Sequence, residues 1–188
     1  MSQLIYCLAA IVILALYGLN RHQTQAAGER TLISREVESG ALQVAERWAA
    51  RIKDRAFDEA DVAAAEPRID DLTGLTDPAF LGVSTADEVL SEAPAHGTDF
   101  ARFDDVDDFA EVSGIDTLWV GAERATPLLF QVDIDVRYVN AATLAPSAGT
   151  TLAKEAVVQV VGPLIDGRPA ARVRVPVHTT AARQFLHN

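Results

Sequence analysis

The chain carries a single cysteine, Cys7, so no intramolecular disulfide can form and cysteine-rich metal sites are excluded. Its stability must come from burial. None of the 8 prolines precedes Pro67, and a stretch that long without a helix breaker permits a very long helix. Positive charge is scarce: 16 Lys and Arg stand against 27 Asp and Glu, a net charge of −11. Such a chain repels phosphate backbones, which argues against a nucleic-acid partner. The 4 histidines, at positions 22, 96, 178 and 187, have no metal-ligand spacing. There is no Gly-rich phosphate loop, no Ser elbow and no Cys/His nucleophile arrangement, and the expectation is that the chain is not an enzyme.

Hydrophobicity is concentrated at the start. Leu4 to Leu19 reads LIYCLAAIVILALYGL, sixteen residues without a charge. As a helix this run is roughly 24 Å long, a little short of the ~30 Å hydrocarbon core of a bilayer. It reads as a retained membrane or assembly helix, with a buried core helix or a cleavable signal as alternatives; the signal reading lacks a basic leading region. Arg21, Arg30 and Arg35 follow the run, and a positive-inside count by itself would keep the rest of the chain in the cytoplasm. Residues 20–29 form a polar joint containing Gly28, where the helix is expected to loosen. Over residues 30–56, Leu32, Ile33, Val37, Ala41, Val44, Ala45, Trp48, Ala49 and Ile52 recur at spacings of three and four, which predicts an amphipathic helix. Val44, Trp48 and Ile52 are placed to dock on a sheet.

Residues 57–115 hold 16 acidic and 2 basic residues, so the acidity belongs to the middle of the chain. Turn signals predict a long loop there, with a short helix near Thr85–Leu90. Asp104, Asp105, Asp107 and Asp108, with Asp99 nearby, are the residues able to concentrate negative charge on a cation. They lack the Gly and the distant bidentate Glu of an EF-hand loop, so a solvated acidic loop without a cofactor is expected, with calcium as the alternative. From Leu128 the period becomes two: Phe130, Val132, Ile134, Val136 and Tyr138 alternate with Gln131, Asp133, Asp135 and Arg137, a half-buried antiparallel strand. Ala153–Val161 and Ala171–Val177 follow as strands, and Leu118–Val120 adds an edge. The fold class expected is α+β: a long N-terminal helix, apolar and then amphipathic, packed on a small antiparallel sheet. Residues 1–29 form the apolar helix and joint, and residues 30–188 the head, with its sheet in 116–188.

That layout is similar to type IV pilin-like proteins. The strings VAERWAARIKDRAFDEA, FDDVDDF at residues 103–109, FQVDIDVRYVN and AKEAVVQVVGP resemble minor pilins of the mannose-sensitive haemagglutinin type. The resemblance implies a subunit inserted in the bacterial inner membrane and then built, with copies of itself, into an extracellular surface filament through Leu8, Ile11, Val12 and Leu16. Pilin precursors carry a short basic leader and a Glu at the fifth mature position. The sequence opens at Met1, so either it starts at the mature residue or the chain is not processed by a prepilin peptidase. Ile5 stands where the Glu would be, so register would come from packing of the apolar helix and from Ser2, Gln3 or the head.

Overall fold

The computed structural model describes residues 2–58, 72, 74–82, 103, 105–110, 112–120, 126–165 and 168–181, leaving aside the side chains of residues 2–10, 120, 126 and 165. Among the described residues there is one helix, α1 (Ser2–Lys53), followed by six strands: β1 (Ser113–Val120), β2 (Thr126–Tyr138), β3 (Ala153–Val161), β4 (Leu164–Ile165), β5 (Arg168–Pro169) and β6 (Arg172–Thr180). Two 3₁₀ turns, Pro78–Phe80 and Asp107–Phe109, lie between helix and sheet. The short helix expected near Thr85–Leu90 lies outside the described residues.

The helix runs without interruption through residues 20–29, where loosening was expected. A single glycine costs about 1 kcal/mol relative to Ala, too little to break a helix flanked by Gln, Ala, Glu and Arg. Thr24 and Thr31 return their hydroxyls to the helix, donating to the carbonyls of Asn20 and Ala27 at 2.9 Å each. Arg51 and Lys53 in the last turn suit the negative end of the helix dipole.

The two halves of α1 live in different surroundings. Ile11, Ile13, Leu14, Leu16 and Tyr17 are all more than 60% exposed, whereas Val37, Ala41, Val44, Ala45, Trp48, Ala49 and Ile52 form a buried stripe. Those seven residues are the expected apolar face, and Val44, Trp48 and Ile52 are among them. Leu32 and Ile33, also expected on that face, are exposed at 66% and 50%. The buried stripe therefore starts a turn later than its sequence pattern.

The main sheet is antiparallel with strand order β1-β2-β3-β6, and β4 and β5 form a separate small hairpin between β3 and β6. In its registers Val132 faces Val160, Ile134 faces Val158 and Val136 faces Ala156, while Val158 faces Val175 and Ala156 faces Val177. These alternate residues floor the core, and α1 crosses them chiefly over β6 and β3. The crossing is close. A Cβ at Gly40 would lie 3.0 Å from Leu118 Cδ2 and 3.1 Å from Phe130 Cζ, so only glycine fits there without displacing the sheet's side chains. The outward face carries Asp133 and Asp135 as expected, with Ser113 Oγ donating to Asp133 Oδ1 at 2.6 Å. The α+β architecture and the helix-on-sheet packing thus stand as read from the sequence.

Trp48 closes one end of this core. Its Nε1 donates to Asp116 Oδ2 at 2.9 Å, Arg47 pairs with the same oxygen at 3.1 Å, and its ring meets Phe109 edge-on at 6.4 Å. Phe103, Val106 and Phe109 enter the core at intervals of three, with Phe103 and Phe109 edge-to-face at 4.9 Å. The acidic run is therefore threaded by an apolar one.

Candidate functional site

Sheet parity places a charge in the core. Lys154 on β3 lies in phase with Ala156, Val158 and Val160, so its side chain leaves the same face of the strand, beneath the end of α1. It has no exposed surface. An ammonium without partners there would cost far more than the fold can bear, so its surroundings must supply acceptors.

Two segments do so. Just past α1, Phe57 offers its carbonyl and Asp58 its carboxylate, each 2.8 Å from Lys154 Nζ. From the 3₁₀ turn, Asp107 Oδ1 lies 2.6 Å from the same nitrogen. The rings of Phe57 and Tyr138 flank it, their centroids 4.6 and 5.1 Å away. Tyr138, paired with Lys154 across β2 and β3, donates its hydroxyl to the Thr76 carbonyl at 2.8 Å and lies 3.2 Å from Asp58 Oδ2. Thr76 completes the set, its backbone N–H reaching Asp58 Oδ2 at 3.1 Å and its hydroxyl Asp58 Oδ1 at 3.3 Å.

The segments are locked together by backbone. Ala56 and Asp105 form an isolated parallel bridge, and Val106 N–H donates to the Ala56 carbonyl at 3.0 Å. Asp105 Oδ1 caps the turn, accepting the N–H groups of Asp107 at 2.6 Å and Asp108 at 3.2 Å. Asp108 Oδ2 returns the contact to Asp105 N–H at 3.2 Å.

Charge at this site is unbalanced. Asp58, Asp105 and Asp107 are all buried, with carboxylate oxygens within 4.8 Å of one another, around one lysine. Three carboxylates against one ammonium would leave two buried negative charges, so the site retains protons instead. Burial, with Asp107 and Asp108 adding to it, pushes the Asp105 carboxyl up to about 8. Burial also raises Asp107, with Lys154 holding it back. Burial and the nearby Asp58 keep the Tyr138 phenol well above its usual range, so it remains a donor.

Asp58 and Asp107 differ in one respect. Asp58 takes the Thr76 N–H as well as side-chain donors, whereas Asp107, only 8% exposed, is held by the side chains of Lys154 and Thr76.

Of the aspartates read as candidate calcium ligands, the structure brings Asp105 and Asp107 together and adds Asp58. Asp108 is spent on the Asp105 backbone, and Asp104 lies outside the described residues. The run is thus not the solvated loop expected, because Phe103, Val106 and Phe109 pull it inward and carry two of its carboxylates into the core. A cation among Asp58, Asp105 and Asp107 would have to displace the ammonium of Lys154 or share their oxygens with it. Sequence reasoning missed Lys154, Asp58, Tyr138 and Thr76 as a group. The available signal was parity, which puts Lys154 and Tyr138 on the apolar faces of their strands.

Of the expected assembly residues, Ile11, Val12 and Leu16 are 66%, 48% and 61% exposed on α1, and the side chain of Leu8 lies outside the described residues. Among the described residues no helix is long and apolar enough to cross a membrane. Compared with known proteins, the chain matches no protein-family model, no curated protein and no solved structure.

Proposed function

We propose that the chain is a structural subunit of a type IV pilus-like extracellular filament that assembles through the N-terminal half of α1. One observation carries this reading: a single continuous helix is bare and apolar from Ile11 to Leu19 and docked on the sheet from Val37 to Ile52. Ile11, Val12, Ile13, Leu14, Leu16, Tyr17 and Leu19 are all exposed, and at 100° per residue they cover the whole circumference. A docking groove would cover one stripe of such a helix. Complete cover requires lipid or a bundle of like helices, and the same surface suits each in turn. The subunit would wait in the inner membrane and then pack, through Leu8, Ile11, Val12 and Leu16, against copies of itself. No nucleic acid, cofactor or catalytic step enters this role.

Negative-stain microscopy of sheared cell-surface material, with mass spectrometry of the fibres, tests it. Fibres composed of this chain are expected. Recovery of the chain in membrane fractions alone, with none in sheared material, would replace the filament by a membrane-anchored pseudopilin or a component of a secretion apparatus.

A further inference from the structure

We propose that Lys154 and Asp107 are joined by an intramolecular amide bond that forms after folding and staples β3 to the Asp107–Phe109 turn. The geometry is that of a poised pair. Lys154 Nζ lies 2.6 Å from Asp107 Oδ1, and both side chains are more than nine-tenths buried. Asp58, by contrast, is occupied by Thr76 and Tyr138 and positions the nitrogen without offering a free carboxyl carbon.

In water an amine and a carboxylic acid meet as ammonium and carboxylate, and condensation fails on both counts. A dry site favours the product, because a neutral amide and an expelled water suit it better than two buried charges. Held in contact, the pair also reacts at an effective concentration on the order of 10⁵ M or more. The step balances without an oxidant, reductant or further reactant. Nζ yields protons to the carboxyl groups around it and adds to Cγ of Asp107; the C–N bond forms, one C–O bond of Asp107 breaks, and its oxygen leaves as water with two protons. Asp105, whose carboxyl is raised by burial and by Asp107, is the adjacent group able to hold a proton between these events. The inference concerns the head alone and stands or falls independently of the filament reading.

Intact-mass spectrometry of the purified full-length chain, followed by proteolysis and sequencing of the peptides, tests the bond. The expected mass is one water below that calculated from the sequence, and the digest yields a branched peptide joining the segment with Lys154 to the segment with Asp107. This measurement on the unmutated chain depends on no variant folding. The calculated mass, with no water lost, would overturn the proposal, and a branch at Asp58 would overturn the choice of Asp107. Lys154→Met should restore the missing water. If the water loss persisted in that variant, ring closure at another Asp would be its source and the amide would be ruled out. Asp105→Asn should leave a large unlinked fraction in freshly made protein; complete linkage in that variant would remove Asp105 from the step.

Discussion

Raising the pH should loosen the head through Asp105, and Asp105→Asn should abolish most of that effect. The carboxyl is pushed from 3.8 up to about 8 in the folded chain, with burial as the first cause. The folded state therefore keeps a proton that the unfolded chain releases near pH 4. A raised carboxyl pKa contributes stability that is complete below the unfolded value and is lost as the pH rises towards the folded value. The slope reaches ~1.4 kcal/mol per pH unit between about pH 4 and about pH 8, and the whole window amounts to at most roughly 6 kcal/mol. That is comparable to the total stability of many domains. In unlinked chains Asp107 is shifted the same way by burial and adds to the trend. An amide at Lys154 would remove both its charge and that of Asp107 while leaving the burial of Asp105 in place, so the direction holds with or without the bond. Asn at 105 keeps an acceptor for the N–H groups of Asp107 and Asp108 and never ionises. Urea denaturation of the full chain in nonionic detergent, followed by tryptophan fluorescence at half-unit steps from pH 4.5 to 8.5, should show stability falling with pH in the unmutated chain and a flatter profile in the variant. A profile that rises over this range, or identical slopes for the two proteins, would refute the reasoning.

Trp48→Ala should lower stability by about 3–5 kcal/mol, since it empties a fully packed site and strips Asp116 of the indole donor; a loss under about 1 kcal/mol in urea denaturation followed by circular dichroism would contradict the packing described. Gly40→Leu should cost about 1–3 kcal/mol or more by driving α1 off Leu118 and Phe130, whereas Gly28→Leu, where a Cβ meets nothing within 4 Å, should be neutral or stabilising by circular-dichroism melting. Calcium should give no rise in melting temperature beyond that produced by magnesium or sodium, because Lys154 already stands among the carboxylates; a calcium-specific rise at micromolar to millimolar concentration would make Asp58, Asp105 and Asp107 its first ligands to test.

Period alone made much of the fold legible. Spacings of three and four gave the buried stripe of α1, and alternation from Phe130 to Tyr138 gave β2 with its wet face, because each pattern follows directly from which side chains meet the core. The first part of β1 was missed for the same reason. On this edge strand Ile115 and Trp119 point outward and are about half exposed, so its apolar residues do not mark the buried face. The site was less legible. Charges were read as solvent-facing, and Lys154 was absorbed into a valine-rich strand although its phase with Val158 and Val160 was open to inspection. Asp58 gives no local signal at all. It is buried because Ala56 pairs with Asp105, a contact between residues far apart in sequence that no local pattern encodes. The run FDDVDDF showed its aspartates and concealed its Phe103, Val106, Phe109 spacing, which decides where those aspartates go.

Fibre yield from Val12→Asp tests the central claim most directly. An aspartate at this position places a charge where neighbouring apolar helices would close, at a cost of several kcal/mol per subunit, and it lies far along α1 from Val37, where the described core begins. The account predicts no fibres in sheared material from cells making this variant, while the purified variant retains the mixed helix-and-strand circular dichroism and the Trp48 fluorescence of the unmutated chain. Fibres at normal yield from the Val12→Asp chain would contradict assembly through the apolar half of α1.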